Sequence, residues 1–382
     1  MWVEKFYLCS ESLDEIAQLS VERSPNLIFL FGDTDTIASG RAPAGLFERF
    51  PLAAHLGCST GTLVKGVDLH DDGLLIVLVG FESTRIALHC EPLADIDRSF
   101  PAGAALARKI AAPDLAGLFL LSSGLGVNGS ALVEGIQSIL GRKAVISGGL
   151  AGDGARFETT WISINGKPVE KAIAAIGFYG TSVRLAHGIA GGWSEFGPTR
   201  RVTKSAGSTL LELDHKPALD LYKRYLGDEA TGLPASGLLF PLMIWDEANP
   251  DDAVVRTILS VDHDARSITL AGDIPEGWCA KLMRGTQESL VEGARQAAQH
   301  ARTAMGDTKV DSELCLFVSC VGRRLLMGQS TEEEVDAVSE ALGVATKIAG
   351  FYSYGEIAPQ NVSEVCGLHN QTVTLTLLSE AA

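Results

Sequence analysis

The sequence contains no C-x-x-C pair, no H-E-x-x-H and no Walker loop of the form G-x-x-x-x-G-K-[ST]. These absences exclude a zinc ribbon, a zincin-type metal helix and a P-loop. Cys9, Cys58, Cys90, Cys279, Cys315, Cys320 and Cys366 are scattered and odd in number. That pattern reads as reduced thiols in a cytoplasmic protein, not as a disulfide scaffold. Basic residues are scarce, 31 against 47 acidic ones, for a net charge of −16. Such a chain repels phosphate backbones and anionic lipid surfaces, so neither nucleic acid nor a membrane surface is expected as partner. Long apolar runs are missing too. The stretch LLIVLVGF (74–81) is strand-sized, so no membrane insertion is expected. The opening residues, MWVEKFYLCSESLDEI, have no basic stretch leading into an apolar core, so no secretory signal is expected.

What is present is a chain of 382 residues, 46% hydrophobic and 20% charged, longer than one core usually serves. Its apolar runs repeat in a fixed order. LIFLF (27–31) reads as a buried strand, a helix-like stretch covers 43–50, and AAHLGCSTG (53–61) runs into a glycine turn. LFLLS (118–122), a helix over 130–140 and AVISGGLAGDG (144–154) repeat that order. From Phe31 to Gly57 is 26 positions, and from Ser122 to Gly148 is again 26. A third copy runs through LCLFVSC (314–320), STEEEVDAVSEALG (330–343) and KIAGFYSYGEI (347–357), with 30 positions from Cys320 to Gly350. Its helix carries Val335, Val338 and Leu342 on one face, and Ser330 with Glu333 has the spacing of a capping box. A weaker fourth copy is expected around 238–283. The fold class that follows is α/β (α+β). Layered mixed sheets with flanking helices are built from repeated strand–helix–strand–glycine turn–strand units, in two domains, 1–210 and 211–382.

Two sequence motifs suggest chemistry. Gly124-Leu125-Gly126-Val127-Asn128-Gly129 is a G-x-G-x-x-G between a strand and a helix, the layout of a dinucleotide-binding turn. The corresponding loops of the other copies lack it, and no acid ends the following strand to hold a ribose. A flexible loop explains it as well. GCSTG (57–61) matches a nucleophile elbow, with Ser59 in the centre, but a polar link and a strand follow it instead of a helix. Cys320 is a second possible nucleophile. Neither has a base nearby in sequence.

Polar and aromatic residues concentrate in GFYSYGEIAPQNVSEVCGLHNQT (350–372), with SCVGRR (319–324) expected beside it. Arg323, Tyr352, Tyr354, Glu356 and Asn370 can line a pocket for a small polar ligand such as an amino acid. Singly, each also has a structural role open to it, Arg323 with Glu356 as an ion pair among them. His187 and His369 end strand-like runs, where each can ligate iron or satisfy the backbone.

The segments ISGGLAGDGARFETT, HGIAGGWSEFGPTRRVTKS, LPASGLLFPL, AGDIPEGW, SCVGRR, GFYSYGEIAP and LHNQT together resemble the FIST family. That resemblance implies a sensory, signal-transducing protein with a FIST N and a FIST C domain, not an enzyme. It implies a small ligand, with amino acids among the suggested ones. The partner would be a separate protein, a histidine kinase or a cyclic-di-GMP enzyme, since the chain has no room for an output domain of its own. One branch of stand-alone members, the NosP type, binds haem and senses nitric oxide. Within that branch His187 and His369 would be the residues to consider for the cofactor.

Overall fold

The computed structural model describes residues 1–142, 144–306, 314–360 and 364–381. Three apolar stretches form the first strand of three equivalent units: Leu27–Gly32, Leu115–Ser122 and Leu314–Cys320. Each is buried nearly throughout, which is why it reads as a continuous apolar run without alternation. Each pairs in parallel with a second strand, Ala54–Ser59, Ile146–Leu150 or Lys347–Ser353. Parallel neighbours need a crossover, and helices supply it: Thr34–Ser39 and Arg41–Arg49, then Gly129–Leu140, then Val321–Met327 and Thr331–Leu342.

One close approach defines the repeat. A Cβ at Gly57, Gly148 or Gly350 would lie 2.2, 1.8 or 1.8 Å from the carbonyl oxygen of Leu30, Leu120 or Phe317. The glycines are therefore equivalent, and so are the residues facing them. The first-strand residues picked out by sequence spacing, Phe31 and Ser122, are not themselves equivalent: Phe31 corresponds to Leu121.

A hairpin and a long strand complete each unit, and here the units interlock. The hairpin of unit one (Leu63–Lys65, Asp68–His70) joins the sheet of unit three. That of unit two (Ile162–Ile164, Lys167–Val169) joins unit one, and that of unit three (Glu356–Pro359, Cys366–His369) joins unit two. The strands Arg85–Pro92 and Val183–Ala190 likewise cross to the next unit. Trp2–Leu8, at the start of the chain, closes the ring on unit one. Phenylalanines from the three sheets meet inside; Phe29 and Phe119 lie 5.3 Å apart, Phe31 and Phe351 4.9 Å.

The space of the expected fourth copy is occupied differently. Residues 194–284 form an antiparallel sheet with one α-helix, Ala218–Leu226, two short 3-10 turns and a hydrophobic core of their own. Residues 238–283 contain no strand–helix–strand unit. In space the chain forms a three-unit body drawn from both its halves and an inserted β-domain, residues 194–284. The expected capping box is also absent: Ser330 precedes the helix Thr331–Leu342 without a side-chain cap. All seven cysteines are unpaired. No helix among the described residues is long and apolar enough to cross a membrane.

Candidate functional site

The expected site residues fall into two groups. Arg323 and Tyr352 belong to a buried network around Glu334. The Arg323 guanidinium contacts Glu334 Oε1 through Nε at 2.7 Å and Nη2 at 2.6 Å. The Tyr352 hydroxyl donates to the other carboxylate oxygen at 2.7 Å. Arg323 also donates to the carbonyls of Gly191, at 2.5 Å, and Leu290, at 2.8 Å. Every strong donor is used inside the protein, so these two side chains tie the C-terminal unit together and do not line a pocket. The partner of Arg323 is Glu334, not Glu356.

Glu356 serves the third unit. In units one and two the backbone N–H of Gly73 and Ala172 is held by Asp33 and Ser123. The equivalent position in unit three is Cys320, whose thiol is only a weak acceptor. Glu356 Oε2 takes over, accepting from Thr372 N at 3.2 Å and Oγ1 at 3.0 Å. Among the described residues its other oxygen has no hydrogen-bond partner, and neither has Asn370 Oδ1. Burial pushes the Glu356 carboxyl well above its ordinary range, against the pull of Thr372 and Arg323.

Tyr354 lies at the seam between the three-unit body and the β-domain. Its hydroxyl contacts Asp153 and Gly154, and its ring stacks on Phe157 with centroids 4.5 Å apart. Burial acts to raise the Asp153 carboxyl, but hydrogen bonds from Tyr354 and the Thr159, Glu158 and Phe157 amides outweigh it and hold it low. Tyr354 borders a cleft of about 200 Å³ whose opposite wall is Ser208 and residues 269–273 of the β-domain. The Gly124–Gly129 loop forms its floor. Here the dinucleotide-like motif finds its explanation. Asn128 caps the helix Gly129–Leu140, its Oδ1 accepting from Ala131 N at 3.0 Å, while its Nδ2 donates to Asp273. A carboxylate of the same chain, Asp273, is thus held beside this helix N-terminus by the side chain of the cap residue.

A second and larger groove, about 480 Å³, opens along the same seam. It runs between the helix Gly129–Leu140, the hairpin of unit three and the strand Asn249–Arg256, with Trp278 on one wall. Arg256 lines it, close behind the smaller cleft: a Cβ on Gly272, which borders that cleft, would lie 2.8 Å from Arg256 Nε. Sequence reading missed Arg256, whose only signal is its place at the end of the apolar triplet Ala253-Val254-Val255.

Models of the FIST N domain and the FIST C domain match residues 26–216 and 218–359. The chain belongs to the FIST family. It is similar to an uncharacterized protein of Methanocaldococcus jannaschii, with 29% identity over 352 residues, covering 85% of this chain and 66% of that protein. A crystal structure of cyanuric acid hydrolase from A. caulinodans is similar at 14% identity and a TM-score of 0.18, covering 78% of this chain and 99% of that one. The FIST family is one of sensory, signal-transducing proteins that bind small ligands, which agrees with the expectation drawn from the sequence.

In this FIST protein His369 does not fit a haem, and neither it nor His187 lies at a seam cavity. His187 is half-buried on its strand; its Nδ1 lies 3.5 Å from Thr376 Oγ1, and among the described residues its Nε2 has no hydrogen-bond partner. His369 Nε2 is hydrogen-bonded to the Ala358 carbonyl at 3.0 Å, so that nitrogen carries the proton and offers no lone pair to iron. Burial lowers both to a pKa of about 4. Ser59 and Cys320 are equally enclosed. Ser59 Oγ donates to Gly152 O at 2.8 Å and accepts from Trp161 N at 2.9 Å. Burial pushes the Cys320 thiol up, helped by the Glu356 charge. Among the described residues no cluster of side chains has the make-up of a metal site.

Proposed function

We propose that this FIST protein is a binding protein, not an enzyme, whose small ligand enters the seam between the three-unit body and the β-domain. The observation that carries this reading is the seam groove: one wall comes from the helix Gly129–Leu140, another from the unit-three hairpin, and the third from the β-domain. A ligand touching all three favours one placement of the β-domain over others, and a partner protein reads that placement. The enclosure of Ser59 and Cys320 supports binding over covalent catalysis. The partner class follows from the resemblance: a histidine kinase or a cyclic-di-GMP enzyme.

Hydrogen exchange of the full chain with and without a panel of small polar molecules, amino acids included, tests this. A saturating ligand is expected to slow exchange in residues 129–140, 249–256 and 366–369 together. Protection confined to another region sinks the seam placement. A ligand that protects the seam yet leaves the partner's autophosphorylation or cyclic-di-GMP turnover unchanged sinks the signalling half.

A further inference from the structure

Among the described residues two arginines are buried, and they differ. Arg323 has its carboxylate, Glu334. Arg256 is only 6% exposed, yet among the described residues no carboxylate oxygen lies within 4 Å of its guanidinium. It donates to the Leu368 carbonyl at 3.0 Å and, at 3.4 Å each, to the Asp273 carbonyl and Ser130 Oγ. A guanidinium has five N–H donors; here three acceptors are in reach and two of them are at the edge of hydrogen-bonding distance. A desolvated, uncompensated charge is costly, and removing a partner from such a charge is what usually destabilises a protein. Burial brings the Arg256 pKa down to about 10 even with the Asp273 charge acting to raise it.

The surroundings hold that charge in place. On one side Gly272 lies so close that no side chain fits there. Elsewhere Arg256 borders the seam groove, with Trp278 and Val254 as apolar walls. Two acids, Glu134 and Asp252, also line the groove, and among the described residues the buried Asp252 Oδ1 has no hydrogen-bond partner.

We propose that Arg256 anchors the carboxylate of a small ligand bearing a single carboxylate in the seam groove, with a hydrogen-bond-donating group of that ligand facing Glu134 and Asp252. The planar fork of a guanidinium matches a carboxylate with two parallel hydrogen bonds, which a lysine could not do. A dianion would be repelled by the two acids. Trp278 and Val254 take the apolar portion. This inference rests on the seam groove being the ligand site.

The test uses the full chain at constant ionic strength in chloride. Binding of β-alanine, 4-aminobutyrate and benzoate is measured by calorimetry beside β-alaninamide, 4-aminobutyramide, benzamide and inorganic phosphate, with hydrogen exchange reporting the location. An amino-carboxylate is expected to bind at the seam at least tenfold more tightly than its amide, with phosphate giving no saturable binding. Arg256→Gln is expected to abolish that preference. An amide that protects the seam as well as its carboxylate overturns the anchor and leaves the seam site standing. So does a folded Arg256→Gln variant that keeps the preference. If no probe of either kind alters exchange at 129–140 or 249–256, the inference and the seam reading both fail. Should Arg256→Gln not fold, the carboxylate-to-amide ratio of the unaltered protein decides.

Discussion

Arg323 and Glu334, eleven residues apart on consecutive helices, form an ion pair from which water is excluded on every side. The pair is completed by Tyr352 on one carboxylate oxygen and by two backbone carbonyls on the guanidinium. Breaking a buried pair by removing one partner strands the other charge, at a cost of about 3–5 kcal/mol. Arg323→Ala and Glu334→Ala are each expected to lower unfolding free energy by that order in urea titration. Ligand affinity of whatever remains folded should be unchanged. A loss of affinity without a loss of stability would return Arg323 to the ligand site.

The glycines of the second strands make a sharper stability prediction. Gly148→Ala places a methyl group against the Leu120 carbonyl, at a backbone φ of +140°. Gly350→Ala does the same against Phe317. Both are rigid backbone contacts that cannot relax by side-chain rotation, so each is expected to cost more than about 3 kcal/mol, the range of severe core strain. Gly45, inside the helix Arg41–Arg49, has nothing within 4 Å of its missing Cβ. Gly45→Ala is expected to stabilise by about 0.5–1 kcal/mol. Thermal unfolding of the three variants checks the ranking.

These glycines also show why the repeat was legible in the sequence and much else was not. A strand that must approach its neighbour so closely accepts only glycine, and that constraint leaves a spaced mark. The exchange of hairpins leaves none. Leu63–Lys65 and Ile162–Ile164 are three residues long, and nothing in three residues names the sheet they join. Glu334 was legible in principle: it stands four residues before Val338 on the buried face of its helix, where a charge demands a partner. Arg256 was not, because its burial depends on Leu368, more than a hundred residues on. The Glu356 role needed the unit-by-unit comparison with Asp33 and Ser123, which only the structure aligns.

Buried histidines set a pH dependence. His187 and His369 have folded-state pKa values of about 4, below the ordinary value near 6.5. Their folded pKa is depressed, so the unfolded chain binds the proton more readily. The stabilisation they represent is whole above about pH 6.5 and is lost as pH falls toward 4, with a slope of up to about 1.4 kcal/mol per pH unit for each proton. Urea denaturation between pH 7.5 and 4 is expected to show this fall, and His187→Leu to flatten it by about one proton. Hemin added at pH 7.5 is expected to give no saturable band at one per chain, because His369 Nε2 is held by the Ala358 carbonyl and His187 Nε2 is shut off from solvent. A stoichiometric band lost in His187→Leu or His369→Leu would overturn the enclosure described above.

Asn128 and Asp273 carry the last prediction, since their contact joins the two parts of the molecule at the motif that looks like a nucleotide turn. Asn128 caps its helix with one end of its amide and holds Asp273 with the other, at 2.9 and 3.1 Å to the two carboxylate oxygens. Asp273→Asn removes the charge at the helix N-terminus but leaves the cap. Asn128→Ala removes both, and loss of an N-cap alone costs about 1 kcal/mol. The expected order of stability is therefore wild type, Asp273→Asn, Asn128→Ala. Hydrogen exchange should quicken in residues 129–133 in Asn128→Ala, and near 269–273 in both. The unaltered protein is expected to bind neither NAD nor ATP by calorimetry, because Asn128 already holds a carboxylate beside the helix N-terminus, where its charge repels a phosphate. Nucleotide binding by wild type would show that Asp273 yields its place. If only Asp273→Asn binds, the carboxylate is what excludes the phosphate.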